Sequence, residues 1–384
     1  MVGRTIRFEF ATATRIIFGE GTATTLPELA RSFGARPLVV TGASTERAAS
    51  LVAELAAQTF AVPGEPTVDL VCEGARRALD LACDVVISLG GGSAIDAGKA
   101  IAAVATNGGE PLDFLEVVGL GRAMTAPPLP FIAVPTTAGT GSEVTRNAVL
   151  GSAERGVKAS LRSPLMLPRV ALVDPELTYG LPPVVTAFTG LDALTQLIEP
   201  YVSARANPLV DALCVDGIRR AGSALRRVYG DGADREARHD MALASLFGGL
   251  ALANAGLGVV HGFASPLGGS WKAPHGALCA ALLPHGMAAN VAGLRARAPR
   301  HPALERYAEI ARLLTGRNDA TAEDGIDWVR ELSAELNVPG LRVWGIAEGD
   351  LPGVVEKAAH ASSMQANPLP LTREELLAVV NAAW

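Results

Sequence analysis

The chain has 384 residues, of which 49% are hydrophobic and 19% charged, with a formal net charge of −6 and a pI of ≈ 5.6. That is long enough for two domains of ordinary size with a large core, and too apolar for a disordered chain. The acidic balance excludes nucleic acid as the main partner, because phosphate binding needs a basic surface. The four cysteines, Cys72, Cys83, Cys214 and Cys279, are scattered and form no CxxC pair. They read as reduced, mostly buried thiols of a cytoplasmic protein. The N-terminal stretch Met1–Phe18 has no apolar run of secretory-signal length.

In chain order, short β-branched runs predict strands at Arg15–Phe18, Pro37–Thr41, Asp84–Ser88, Phe131–Val134 and Val170–Val173. Helical patterns lie between several of them, at Thr45–Gln58, Val68–Ala82 and Ala94–Ala105. Alternating strands and helices imply a mostly parallel sheet covered on both faces. After Leu181-Pro182-Pro183 the character changes, and no further strand is predicted. Helices are expected over Thr186–Val202, Leu209–Val228, a long one ending near His261, then Gly276–Arg295, Ala303–Leu314, Ala322–Leu336, Leu351–Ala359 and Thr372–Ala383. The double proline is a natural boundary, since each Pro disfavours helix at the residue before it. The chain therefore reads as an α/β domain with a parallel sheet over residues 1–181 and an all-helical domain over 182–384. A cleft between two such domains is the usual place for a small ligand. The uncharged run Met241–Val260 is about as long as a membrane span, but a buried core helix is the better reading. Asn254 sits inside it, His261 follows at once and no second span exists, so no membrane is expected.

Two loops carry the signature of a bound nucleotide. Asp84–Ala105 reads as strand, three glycines and a serine, then helix. Glycines let the backbone turn tightly and approach a ligand, and the free N–H groups of a helix's first turn favour a pyrophosphate. The plain alternative is a tight turn with Ser93 as N-cap. The GxGxxG fingerprint is absent. A second strand, Phe131–Val134, opens onto hydroxyls at Thr136, Thr137, Thr140 and Ser142. Such turns hold a ribose, a phosphate or a carboxamide, or merely satisfy their own backbone. Asp96 and Lys99, one turn apart on the helix after GGGS, read as a local ion pair.

The six histidines, at 239, 261, 275, 285, 301 and 360, all lie in the C-terminal half. His261 and His275 share the most glycine-punctuated apolar stretch, Val259–Gly276. Buried imidazoles are costly unless they are hydrogen-bonded or bound to metal. Two core histidines, each satisfied by a backbone carbonyl, are the competing reading. Asp192 and Gln196 lie one helical turn apart and face the same way. His261 is expected to end the long helix, with Pro266, Gly268 and Gly269 breaking the chain before Pro274 opens the next helix beside His275. Asp192, His261 and His275 are thus placed to converge from three elements. Trp271, between the histidines, reads equally as a pocket wall or as core.

The segments GGGSAIDAGKA at 90–100, PTTAGTGSEVT at 135–145, VDP at 173–175, GLDALT at 190–195 and the His261/His275 stretch resemble the iron-containing (group III) alcohol dehydrogenases. Their fold is shared with dehydroquinate synthase and glycerol dehydrogenase. The resemblance spans essentially the whole chain and the motifs keep the family's order and spacing. It implies a dinucleotide domain followed by a helical metal domain, a cytoplasmic enzyme and a homodimer. It also implies that Gly91, Gly92 and Ser93 contact the pyrophosphate of NAD or NADP. Thr136, Thr137, Thr140, Asn147 and Lys158 would line the nicotinamide nucleotide. The family's metal ligands are an Asp and three His.

The chain departs from the family at several places. Gln196 stands where the family has His, and Ser265 where it often has a further active-site His. Gly42 stands where many members have an Asp for the adenosine ribose. Ala94 replaces a Pro after GGGS, and Glu65 an Asn before a Pro. Two imidazoles and a carboxylate still make a catalytic metal site with an open position. The expected site is therefore Asp192, His261 and His275 around Fe²⁺ or Zn²⁺, with Gln196 as a weak fourth ligand or a partner of bound water. The rival is that no metal binds and a histidine polarises the carbonyl directly. The resulting expectation is a dehydrogenase acting on a small alcohol, aldehyde or oxoacid. A maleylacetate reductase-like oxoacid reductase, or a lyase or cyclase with no net redox change, are the alternatives. Gly42 removes a carboxylate that would repel a 2′-phosphate, so NADPH is expected to be tolerated.

Overall fold

Val85, Val86, Ile87 and Ser88 are all fully buried although they point alternately to opposite sides of one strand, which requires cover on both faces. The computed structural model of the chain describes residues 7–116, 119–152 and 157–384. Residues 1–6, which begin the stretch considered above as a signal, lie outside the described residues. The chain divides into two compact units, one Thr12–Leu181 and the other Pro182–Trp384 together with the N-terminal segment ending at Ala11.

The first unit runs β1 (Ile16–Phe18), α1 (Leu26–Phe33), β2 (Pro37–Thr41), α2 (Ala49–Leu55), β3 (Gln58–Ala61), α3 (Val68–Asp80), β4 (Val85–Gly90), α4 (Gly92–Asn107), α5 (Pro111–Phe114), β5 (Phe131–Pro135), β6 (Asn147–Ser152), β7 (Val157–Arg162) and β8 (Val170–Val173). Six strands form a parallel sheet in the order β1-β8-β5-β4-β2-β3. Leu38, Val40, Val86 and Ala133 pack into one core with α3 and α4 residues. Val39, Ile87, Ile132 and Val134 pack into another with α1 and α2 residues. From β2 the chain goes outward to β3, then returns to β4 on the other side of β2. The strand order reverses there, and ligands of open α/β sheets bind at such a point, beyond the carboxyl ends of the strands.

Two parts of this unit differ from the expected elements. The helix expected over Thr45–Gln58 stops at Leu55, because Ala56 takes a left-handed conformation at φ 46° and Gln58 opens β3 beside Leu38. The antiparallel hairpin β6–β7 was not expected. Its first strand alternates half-buried and buried residues, but over six residues only, and with Gly151 inside.

The second unit is helical among the described residues: α6 (Pro183–Val202), α7 (Pro208–Gly230), α8 (Arg235–Ala255), α9 (Val259–Ser270), α10 (His275–Arg297), α11 (Ala303–Thr315), α12 (Ala322–Glu335), α13 (Leu351–Ala359) and α14 (Arg373–Ala383). Helices α6, α7 and α8 pack on one another, and α10 lies against α6, α9, α12 and α14. The single long helix expected up to His261 is two helices bent by 97°. Gly256 makes the break at φ +72°, so His261 belongs to the first turn of α9 instead of ending its predecessor. Nor do Pro266, Gly268 and Gly269 break the chain. Helix α9 runs through them to Ser270, held between α10 and α13, and tertiary packing overrides their poor propensity. Asn254, the polar residue inside the apolar run, accepts from Ala11 N at 2.7 Å and donates to Ala11 O at 3.0 Å, fastening the N-terminal segment to α8. By length and composition α10 is long and apolar enough to cross a membrane, but 78% of its apolar window is buried inside the protein. That is the signature of a central core helix.

In the α/β unit, Asp96 and Lys99 do more than form a local pair, for their nearest charged atoms are 3.9 Å apart. Lys99, 1% exposed, donates to Ser142 O at 2.7 Å, Asn147 O at 2.8 Å and Thr145 Oγ1 at 2.9 Å. Asp96 accepts from Ser142 Oγ and, at 2.9 Å, from Val149 N. Together they bolt α4 to the segment after β5 and to β6. Burial draws the Lys99 ammonium down to about 8 against the upward pull of Asp96 and Glu143. Burial likewise lifts the Glu143 carboxyl to about 7. Replacing Lys99 by Met strands Asp96 and leaves three acceptors without their donor. It is expected to cost about 3–5 kcal/mol, the usual result of breaking a buried pair by removing one partner. Chemical denaturation of Lys99→Met followed by circular dichroism checks this, and a loss below about 1 kcal/mol would contradict it.

Candidate metal centre and nucleotide loops

Helix α4 starts directly beyond β4 with Gly91 as N-cap, and no side chain caps it. Ser93 is the second residue of the helix, so the plain reading of it as N-cap does not hold. The first-turn N–H groups are left for an anion. The second loop closes on the first. Thr136 N donates to Gly90 O at 2.9 Å. A Cβ on Gly92 would stand 2.7 Å from both Thr140 Cγ2 and Oγ1, and one on Gly91 3.3 Å from Thr137 Cγ2. At Gly92 a side chain would force Thr140 to shift, so glycine lets the threonine side chains of the second loop lie directly against the turn. Gly91, Gly92, Ser93, Thr136, Thr137 and Thr140 thus share one end of β4 and β5. Asn147 and Lys158 lie on the hairpin β6–β7, where Lys158 Nζ meets Glu65 Oε2 at 3.1 Å. Across from them, Gly42 follows β2. The Cβ position of Gly90 lies 3.2 Å from Gly42 N, and that of Gly42 meets nothing within 4 Å.

In the helical unit, Asp192 comes from the middle of α6, His261 from the first turn of α9 and His275 from the first residue of α10. Asp192 Oδ1 lies 3.4 Å from His261 Nε2 and 3.7 Å from His275 Nε2. A fourth group joins them. Cys279, one turn after His275 on α10, has Sγ 3.7 Å from His261 Nε2 and 3.6 Å from His275 Nε2. The four donor atoms lie within 4.8 Å of one another. A tetrahedral ion with bonds of about 2.0–2.3 Å holds its ligands about 3.3–3.8 Å apart, so the measured spacings fit coordination. The same separations are too long for good N–H···O hydrogen bonds. Asp192 Oδ1 is in fact buried with no hydrogen-bond partner, and so is Gln196 Oε1 one turn further along α6. A bare buried carboxylate oxygen is costly unless a cation meets it.

The electrostatics agree. Burial alone would raise Asp192, yet His275 and His261 hold it below the usual carboxylate range. Burial would lower both imidazoles, but the Cys279 sulfur and Asp192 outweigh it, taking His275 to about 9 and His261 well above its ordinary value. The pocket attracts positive charge.

One carboxylate fixes the histidine geometry. Glu199, two turns after Asp192 on α6, accepts from Val260 N at 2.7 Å and meets His261 Nδ1 at 2.7 Å. A carboxylate only accepts, so Nδ1 carries a proton and Nε2 is the nitrogen aimed at the cluster, able to serve as a ligand once a metal displaces any proton on it. Val259 N donates to Asn367 Oδ1 at 3.1 Å. Helix α9, whose N-cap is Gly258, therefore has its first donors met by distant side chains. A Cβ on Gly258 would lie 2.8 Å from Asn367 Oδ1 and 2.9 Å from Glu199 Oε1, so only glycine admits them.

Reasoning from the sequence missed Glu199 and Cys279. The spacing Asp192 to Glu199, two helical turns, was a readable signal, as was His275 to Cys279, one turn. Trp271 is half-buried at the end of α9, and Ser265 is half-buried within it.

A family model described as iron-containing alcohol dehydrogenase matches residues 13–175, and one described as its C-terminal domain matches residues 186–384. Alcohol dehydrogenase 4 of Saccharomyces cerevisiae is 38% identical over 320 residues, 83% of this chain and 81% of that one. A crystal structure of 1,3-propanediol oxidoreductase superposes with a TM-score of 0.89 at 33% identity, covering 99% of this chain and 100% of that chain. Sulfoacetaldehyde reductase from Bifidobacterium kashiwanohense, solved in complex with NAD⁺, gives a TM-score of 0.86 at 29% identity and covers 99% of each chain.

Proposed function

The chain belongs to the iron-containing alcohol dehydrogenase family, and on that premise we propose that it uses a divalent metal held by Asp192, His261 and His275, and NAD or NADP held on its glycine and hydroxyl loops. It is an alcohol oxidoreductase that interconverts an alcohol and its aldehyde or ketone. Relatives named as alcohol and propanediol dehydrogenases do not favour an oxoacid reductase or a non-redox lyase. The observation that carries the metal reading is the buried, partnerless Asp192 Oδ1 set at coordination spacing from two Nε2 atoms.

When bound, the metal supplies Lewis-acid polarisation of the substrate oxygen, and the dinucleotide gives or takes the hydride. The chain's own residues prepare the site. Glu199 holds the His261 proton on Nδ1 and keeps Nε2 as a ligand. Asp192 contributes the negative charge that a divalent ion needs at a buried site. Gly91, Gly92 and Ser93 offer first-turn N–H groups to the pyrophosphate, while Thr136, Thr137 and Thr140 offer hydroxyls and Asn147 and Lys158 line the nicotinamide nucleotide. With Ser265 in place of an imidazole, the alcohol proton leaves by water, the cofactor ribose or His275.

Elemental analysis of protein purified without chelator is expected to find a divalent metal in the wild type and none in Asp192→Ala, with activity lost alongside. An Asp192→Ala protein that keeps both would sink the metal assignment. Glu199→Gln presents one acceptor where two donors converge, Val260 N–H and His261 Nδ1–H, so one contact turns repulsive. We expect metal affinity to fall roughly 10–100-fold with the fold intact, as for other partners that orient metal-bound histidines; titration with a chromophoric chelator reads it, and unchanged affinity would count against Glu199 as the orienting group. At the cofactor end, Gly42 places no carboxylate where a 2′-phosphate would lie. Steady-state rates with NADPH are therefore expected to be comparable to those with NADH. Strict NADH dependence would overturn that expectation.

A further inference from the structure

We propose that Cys279 is the fourth protein ligand of the metal, bound as a thiolate, and takes the place that Gln196 leaves open; this rests on the reading of Asp192, His261 and His275 as metal ligands. Cys279 is fully buried and stands one turn beyond His275 on the same face of α10. Its sulfur is nearly equidistant from the two free imidazole nitrogens, at 3.7 and 3.6 Å. Those separations match a shared tetrahedral ion with a longer metal–sulfur bond of about 2.3 Å.

Gln196 is the weaker candidate on two counts. Its amide oxygen is neutral and poorly donating toward a first-row divalent ion. Its side chain also borders α8, where a Cβ on Gly248 would stand 3.2 Å from Gln196 Cβ and 3.7 Å from Oε1. Donor type points in the same direction. Asp192 is the one anionic group in direct reach of the ion, because the buried Glu199 carboxylate stands one imidazole away, on His261 Nδ1. A thiolate adds a second anionic donor at the ion itself, where the glutamine would add a neutral one. On binding, the metal–sulfur bond forms, the S–H bond breaks, and the proton is released to solvent. The two imidazoles would bind as neutral donors, any proton on Nε2 leaving to solvent as the metal takes its place. A thiolate also shifts preference from iron toward zinc. Gln196 Oε1 remains free to accept a hydrogen bond from a water or a substrate hydroxyl.

The test is X-ray absorption of the zinc-loaded protein and the near-ultraviolet spectrum of its cobalt-substituted form, neither of which requires turnover. A sulfur shell near about 2.3 Å beside nitrogen and oxygen at about 2.0–2.2 Å is expected, with a thiolate-to-cobalt charge-transfer band. Cys279→Ser should lose both signals, and Gln196→Ala should keep both. If Cys279→Ser does not fold, the wild-type spectra still decide, because the signals must vanish with the metal in Asp192→Ala. A metal whose binding depends on Asp192 but which shows only nitrogen and oxygen neighbours would overturn the cysteine assignment and leave the metal centre standing. Absence of any metal dependent on Asp192 would overturn both.

Discussion

The carboxylate of Glu199 is the constraint on which the helical unit's site depends. One oxygen takes the N–H of Val260 at the start of α9, and the other takes the ring proton of His261 in the next residue. A negative group at a helix N-terminus is favourable for the helix as a whole. Here the same group also fixes which imidazole nitrogen faces inward. Helix start and ring orientation are therefore set by one interaction. Because Asp192 and Glu199 lie on one face of α6, the position of that helix places both the carboxylate proposed as a ligand and the group that orients His261.

That arrangement demands an abrupt chain reversal between two apolar helices. Gly256 supplies the positive φ, and Gly258 leaves room for the oxygens of Glu199 and Asn367. The cost of burying polar groups at the break is offset by a closed network. Asn367 Oδ1 serves Val259 N and Asn290 Nδ2, Asn367 Nδ2 reaches Asn290 Oδ1 at 2.7 Å, and Asn290 Nδ2 also reaches the buried Tyr307 hydroxyl at 3.0 Å. Every member has a partner, the condition under which buried polar networks give rigidity and not strain. His261 consequently sits in a first helical turn whose backbone is anchored from outside the helix.

Much of this was legible in the residues. The five expected strands are present, because fully buried parallel strands read as unbroken β-branched runs. The double proline was readable as punctuation where helices take over, whereas nothing in the residues showed that the segment ending at Ala11 groups with the helical unit. The 97° bend was not, because an uncharged run such as Met241–Val260 has no polar stripe to show where its direction changes. Hairpin β6–β7 escaped because its alternation is short and interrupted. Cys279 escaped for a different reason. Its spacing to the other cysteines forms no pair, and its place within reach of two histidines exists only in the fold. Glu199 looked like one more charge on a helix, and only the fold shows that it is 5% exposed and faces α9.

The two units each bury a charged side chain almost completely, and comparing them separates a structural charge from one that needs a ligand. Lys99 is 1% exposed, and its ammonium meets a hydroxyl and two carbonyls at 2.7–2.9 Å, which matches its three protons. Nothing more is needed to satisfy it, so its role is to tie α4 to the segment after β5 and to β6. Asp192 is equally buried, but Oδ1 has no donor, and the nitrogens near it stand at 3.4 and 3.7 Å. His261 and His275 stand at ion-pair distance from it but too far for good hydrogen bonds, a gap that a packed core would be expected to close. The surrounding atoms hold back by about the span of a metal ion. The departure at Gln196 changes the proposed donor set but leaves the spacing of Asp192, His261, His275 and Cys279 within 4.8 Å, which is what the proposed cation site rests on even where the sequence has lost one of the family's imidazoles.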